Sequence, residues 1–85
     1  MHDIMLAKEI LDTAIKQAKK NKLKIISKIV LGLGKFVEHN EEILPENLRQ
    51  NFNLLAKNTM AEKAELIIKK INKLNIWQLE EIEGQ

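Results

Sequence analysis

Apolar residues recur every three or four positions at the start of the chain and predict a first helix. They are Ile4, Ala7, Ile10, Leu11, Ala14 and Ala18, with Leu6 and Ile15 widening the stripe. Lysines and carboxylates fill the opposite side, as is typical of an amphipathic helix. Asn21 tolerates the left-handed conformation that often ends a helix. We therefore expect a helix over residues 3–20.

The next segment, KIISKIVLGLGKFV (24–37), is β-branched and aliphatic. Ile29, Leu31 and Leu33 alternate along it, which predicts a strand with these three residues on one face. Two glycines lie on the other face, where a missing side chain permits a bulge or a close backbone approach. The GLGK within this segment lacks the full spacing of a phosphate-binding loop, so no nucleotide site is predicted.

The rest of the chain predicts one more helix and two more strands. EHNEEI (38–43) is a polar loop, LPENLRQNFNLLAKN (44–58) a helix, AELIIKKI (64–71) a strand, NKLN (72–75) a turn and IWQLEEIEG (76–84) a last strand. The order α-β-α-β-β predicts an α+β fold with two helices packed on one face of a three-stranded sheet.

The composition indicates a single globular domain spanning residues 1–85. The chain is 45% hydrophobic and 31% charged and has no cysteine, which excludes disulfides, thiolate metal sites and cysteine nucleophiles. Its apolar runs are too short to cross a bilayer and no signal peptide precedes the first helix, so a cytoplasmic location is expected. Ser27, the only serine, lies in a predicted strand, so no enzyme is predicted.

Charge is distributed unevenly. Residues 1–35 hold eight lysines against three carboxylates, whereas residues 36–85 hold six basic residues against nine carboxylates. A basic first half can steer an acidic partner, although a pair of solvated faces explains the same pattern. The few aromatic residues and the acidic second half argue against nucleic-acid binding.

The first residues, MHD, can chelate a metal ion. The α-amine of Met1 with the backbone nitrogen and imidazole of His2 would close consecutive five- and six-membered rings, a square-planar nitrogen set that Ni(II) favours. An Asp3 nitrogen, the Asp3 carboxylate or water would complete the set. These groups must lose protons to bind, so affinity should fall below about pH 7. Taken alone, such a histidine is more commonly disordered or a mild helix cap.

The other histidine, His39, lies beside Glu38, Glu41 and Glu42. Glu38 and His39 would be secondary ligands if this loop folded towards the N-terminus. A solvated loop is the simpler interpretation.

Four segments, in order, resemble the HypA family of nickel-incorporation chaperones for hydrogenase maturation. They are MHD, KIISKIVLGLGKF, LPENLRQNFNLLAKNTMAEKAELII and WQLEEIEGQ. The resemblance implies a metallochaperone that binds Ni(II) through Met1, His2 and Asp3. It also implies two partners, the hydrogenase-maturation GTPase and the precursor of the hydrogenase large subunit; some members also serve urease.

The chain departs from that family between about residues 71 and 76. Such proteins carry a zinc domain with two CxxC pairs between the last two strands, whereas only a few residues join them here and cysteine is absent. The resemblance therefore covers the nickel-binding domain alone, and zinc is not expected. Asp3 also replaces the family's glutamate, and Lys63 replaces a usual glycine.

A second function of another class fits the same pattern. A small metal-independent interaction or adaptor domain could form a homodimer by pairing sheet edges or by exchanging the C-terminal strand.

Overall fold

The computed structural model describes residues 2–38 and 40–85, with Glu38 described by its backbone alone. The elements are α1 (Asp3–Lys20), β1 (Ile26–Lys35), β2 (Val37–Glu38), β3 (Glu41–Glu42), α2 (Pro45–Ala56), β4 (Glu65–Leu74) and β5 (Trp77–Gly84). Strands β4, β1 and β5 form the main sheet in that spatial order. The helices pack on one face of this sheet, which confirms the predicted α+β fold.

Helix α1 has the predicted bounds, but the residue that ends it differs. Asn21 keeps a negative φ of −90°, and Lys22 takes the left-handed conformation with φ 62°. The Leu23 N–H donates to the Ala18 carbonyl and the Lys22 N–H to that of Lys19. This pair of bonds is a Schellman motif, whose left-handed residue is the one after the cap.

The core lies between the helices and one face of β1. Ile29, Leu31 and Leu33 are buried there, as the alternation predicts, against residues from both helices. The helices contribute Leu6, Ala7, Ile10, Leu11, Ala14, Ala18, Leu48, Phe52 and Ala56. Gly32 and Val30 lie on the opposite face of the strand. Strand β1 is the central strand of the sheet. It pairs with β4 in parallel along one edge and with β5 antiparallel along the other.

The link between β4 and β5 crosses the end of β1, and the predicted turn at 72–75 is wrong. Residues 72–74 continue β4, and only Asn75 and Ile76 connect it to β5. The Asn75 N–H donates to the Lys35 carbonyl at 2.8 Å, and the Gly34 N–H donates to the Ile76 carbonyl at 2.8 Å. A hairpin is excluded because β4 and β5 pair with opposite edges of β1.

The predicted loop at 38–43 contains a short hairpin. Val37 and Glu38 pair with Glu42 and Glu41, and Asn40 adopts a left-handed φ of 65° between them. The polar composition of this segment predicted a loop, and strands of only two residues leave no pattern in the sequence that would predict the hairpin.

The second helix is shorter than predicted at both ends. Pro45 occupies its first turn, where a missing N–H costs nothing. Lys57 leaves the helical region with ψ 136°, and Asn58 follows in the left-handed region. No helix in the described part of the chain is long and apolar enough to cross a membrane.

Candidate metal site

His2 lies immediately before α1 and its side chain is exposed. Its backbone is extended, with φ −73° and ψ 150°, and its carbonyl accepts the Leu6 N–H at 3.0 Å as the first bond of the helix. The side chain makes no capping hydrogen bond to the helix. The backbone nitrogens of His2 and Asp3 come before this ladder, so a metal bound to them leaves the helix intact.

Asp3 is the first residue of α1 and is half-buried. Its Oδ1 accepts a hydrogen bond from the Ile4 N–H at 3.0 Å. A carboxylate in the first turn also interacts favourably with the positive end of the helix dipole. Asp3 therefore fixes the start of the helix directly beside His2, whether or not it contacts a metal.

The structure does not describe the side chains of the remaining predicted ligands. Met1 and His39 lie outside the described residues, and Glu38 contributes only its position in β2. Within residues 2–38 and 40–85, no group of three or more histidines and carboxylates could hold a metal ion.

An exposed ion-pair cluster lies on the face of the sheet away from the helices. The Lys28 Nζ is 3.3 Å from Glu81 Oε2 and 3.0 Å from Glu83 Oε2. These two carboxylates raise the pKa of Lys28, chiefly through the hydrogen bond with Glu83. The pKa of Glu83 is lowered, first by its hydrogen bond with Glu81 and then by Lys28. This cluster depends on the register between β1 and β5, which no local pattern in the sequence predicts.

The carboxylates of β5 are exposed, as an edge strand requires, and Trp77 is half-buried against the core. Both placements agree with the sequence. Such charge on an edge strand discourages association of sheets.

Comparison with known proteins decides the family. The family model for HypA, described as hydrogenase/urease nickel incorporation, metallochaperone, matches residues 1–77. The chain belongs to the HypA family. Hydrogenase maturation factor HypA of Caldanaerobacter subterraneus subsp. tengcongensis is 30% identical over 69 residues, covering 81% of this chain and 57% of that protein. Hydrogenase maturation factor HypA of Legionella pneumophila (strain Corby) is 34% identical over 71 residues, covering 84% and 59%.

A solved structure shares the fold. The solution structure of the Ni metallochaperone HypA from Helicobacter pylori matches with a TM-score of 0.69 at 19% identity, over 84% of this chain and 58% of that one. The chain thus spans less than three fifths of the length of these HypA proteins. The absence of cysteine from all 85 residues is consistent with the lack of a CxxC zinc domain.

Proposed function

We propose that this chain is a nickel metallochaperone domain that holds Ni(II) at its N-terminus for hydrogenase maturation. The observation that carries the proposal is family membership across the segment that includes MHD. The exposed imidazole of His2 at the start of α1 supports it. The proposal includes a cytoplasmic location and no catalytic activity.

The proposed ligands are the Met1 amine, the backbone nitrogen and imidazole of His2, and a donor from Asp3 or water. Nickel(II) favours square-planar nitrogen sets and is a strong binder in the divalent series. The nearby end of the helix dipole is positive, which stabilises a deprotonated backbone amide. Glu38 and His39 are proposed as secondary ligands only. No zinc site is proposed, because the chain has no cysteine.

The proposed partners are the hydrogenase-maturation GTPase and the precursor of the hydrogenase large subunit. The proposed role is to accept nickel and pass it on, which a small open site suits better than an enclosed one. The contact surface of such a partner must reach His2, because nickel passes from one protein to another when ligands of the second replace those of the first.

The test is calorimetric nickel titration of protein with an authentic Met1 amine, compared with three variants. We expect one nickel per chain, and loss of this binding in His2→Ala and in a chain extended before Met1. His39→Ala is the matched control, since it removes the other histidine and should keep the stoichiometry. Affinity should fall below about pH 7 as the amine and imidazole gain protons.

Equal binding by the parent protein, His2→Ala and the extended chain would contradict the proposal. Abolition by His39→Ala alone would move the site to the β2–β3 hairpin. A homodimer indifferent to nickel would favour the adaptor function. Isologous edge pairing is opposed by like charges, since Lys69 and Lys70 lie midway along β4 and Glu80 and Glu81 midway along β5.

A further inference from the structure

Lysines are concentrated at the end of α1 and in the segment that follows it. Between Asp12 and Glu38 the sequence has seven lysines and no carboxylate. Five of the seven lie within nine residues and are exposed: Lys16, Lys19, Lys20, Lys22 and Lys24. In the part of the chain that the structure describes, none of these five forms an ion pair, whereas Lys8 and Lys28 both do. Their positive charge is therefore not neutralised within the described molecule.

The helix dipole accounts for part of this pattern. Lys19 and Lys20 lie in the last turn of α1, where cations stabilise the negative end of the helix. Lys22 and Lys24 lie beyond the helix, and the effect of the dipole falls off within the last turn. Lys22 also has a left-handed φ of 62°, a conformation that glycine or asparagine adopts at lower cost. Helix stability therefore does not explain lysine at these two positions.

A pocket adjoins these lysines. It encloses about 210 Å³ between the residues before β1 and the loop after α2, and it is lined by Ile25, Thr59, Met60, Glu62 and Lys63. The Ile25 side chain is 55% exposed, and Lys24 directly precedes it. Lys63 adds a further cation at the border of the pocket. We call the pocket and the five lysines together the basic end of the molecule.

Hydrogen bonds hold the walls of the pocket in place. The Ile26 N–H donates to the Met60 carbonyl at 2.9 Å and joins β1 to the loop after α2. Glu62 is the one carboxylate in the lining, and its Oε1 accepts the Asn58 N–H at 2.6 Å. Glu62 is thus engaged by the backbone of its own loop. A side chain of a partner can enter this preformed pocket at a small cost in ordering.

These features fit an acidic segment of another protein better than a membrane or a nucleic acid. Carboxylates complement the lysines and would steer the encounter. An apolar side chain of a protein segment can fill a concave pocket, which the flat surface of a bilayer cannot. Single-stranded nucleic acids stack on aromatic side chains. Phe36 and Phe52 are buried, and Trp77 pairs with Leu33 towards the opposite end of β1 from Ile25.

We propose that the basic end is the docking surface for an acidic segment of another protein that carries an aliphatic side chain among its carboxylates. The aliphatic side chain occupies the pocket beside Ile25, and the carboxylates face the lysines. Helix α1 separates this surface from His2 by about 27 Å, since each of its 18 residues adds about 1.5 Å. A partner bound there leaves the N-terminus uncovered, so the contact does not depend on nickel.

The test is fluorescence anisotropy with a labelled synthetic peptide in which one leucine is flanked by glutamates. The parent protein should bind it at physiological ionic strength, and more tightly at lower salt because charges are screened less. Lys24→Glu with Lys63→Glu should weaken binding about tenfold or more, because both positions border the pocket and would repel the peptide. Lys69→Glu with Lys73→Glu is the matched control. It makes the same change of charge at exposed positions of β4, and its affinity should stay within about twofold of the parent's.

The pocket is tested separately by Ile25→Gln and by a second peptide with serine in place of leucine. Ile25→Gln should weaken binding of the leucine peptide severalfold and leave the serine peptide unaffected, because only groups in contact show such coupling. Leu74→Gln, at a 63% exposed position elsewhere, should affect neither peptide. This comparison remains decisive even if the variant at Lys24 and Lys63 does not fold.

Lack of peptide binding by the parent protein at physiological ionic strength would overturn the inference, as would equal weakening in the two lysine variants. Equal weakening of both peptides by Ile25→Gln would also overturn it. Tighter binding to single-stranded DNA or to phosphatidylserine vesicles than to the peptide would assign the basic end to a nucleic acid or a membrane instead. Failure of the parent protein to bind nickel would refute the proposed function and leave this inference standing.

Discussion

Gly34 lies beneath the crossing between β4 and β5, and replacing it with alanine should disrupt that crossing. An added Cβ would lie 2.5 Å from the Ile76 carbonyl oxygen and 2.7 Å from that of Lys73. Both are backbone atoms, one near the end of β4 and one in the two-residue link, so neither can rotate away as a flexible side chain could. Overpacking of this kind costs about 1–3 kcal/mol. A domain of this size has a free energy of unfolding of about 4–13 kcal/mol, so the loss is substantial.

Gly32→Ala is the matched control, two residues earlier on the same face of β1. Its added Cβ would meet side-chain atoms, Glu80 Oε2 closest, with Gln78 Cγ at 3.1 Å and Ile71 Cγ2 at 3.2 Å. The Glu80 carboxylate is exposed and can swing aside. We therefore expect Gly32→Ala to change the free energy of unfolding by less than about 1 kcal/mol, because replacing a strand glycine also offsets part of any clash.

Urea and thermal unfolding, followed by circular dichroism and by tryptophan fluorescence, measure both variants. Trp77 is the only tryptophan and pairs with Leu33 beside the crossing, so its emission reports on this region directly. A loss of about 2 kcal/mol should lower the Tm of Gly34→Ala by about 8–16 °C. Equal stability of Gly34→Ala and Gly32→Ala would refute the argument from backbone contact.

Two further predictions concern the core and the ion-pair cluster. Phe52→Ala empties a fully buried position and should lower the free energy of unfolding in urea by about 3–5 kcal/mol. Leu54→Ala, at a 61% exposed position, should lower it by less than about 0.5 kcal/mol. Similar losses in the two variants would contradict the placement of Phe52 in the core. The lowered pKa of Glu83 means that its ionised form adds stability above the unfolded value of 4.5 and that this is lost as pH falls through the folded pKa. The difference in Tm between the parent protein and Glu83→Gln should therefore shrink between pH 6 and about pH 3; a constant difference would argue against the cluster.

The sequence predicted most of the fold because its periodicities are strong and local. Helix α1 has the predicted bounds, and the buried face of β1 is the one that Ile29, Leu31 and Leu33 define. The turn at 72–75 was wrong because its residues favour a turn locally, while pairing of Leu74 with Lys35 extends β4. That pairing is non-local, and no short window of sequence contains it.

In the candidate site too, features made by adjacent residues could be predicted from the sequence, and features made by distant residues could not. The chelate at Met1, His2 and Asp3 was inferred from adjacent residues. That these residues bind nickel stays a prediction. The surface groove that Ile4 and Met5 of α1 line together with Leu55 of α2 was not predicted, because the two helices are separated in sequence by the whole of β1. An apolar residue on the outer face of α1, such as Met5, is the signal in the sequence that could have drawn attention to it.

The central position of β1 has a consequence for synthesis on the ribosome. Both of its neighbours come from residues 65–84, the last quarter of the 85-residue sequence. A nascent chain therefore carries an apolar strand with two unpaired edges until nearly all of these residues have emerged. Unpaired strand edges promote aggregation. We expect chains released before β5 is complete to be poorly folded and to be recognised by chaperones and proteases.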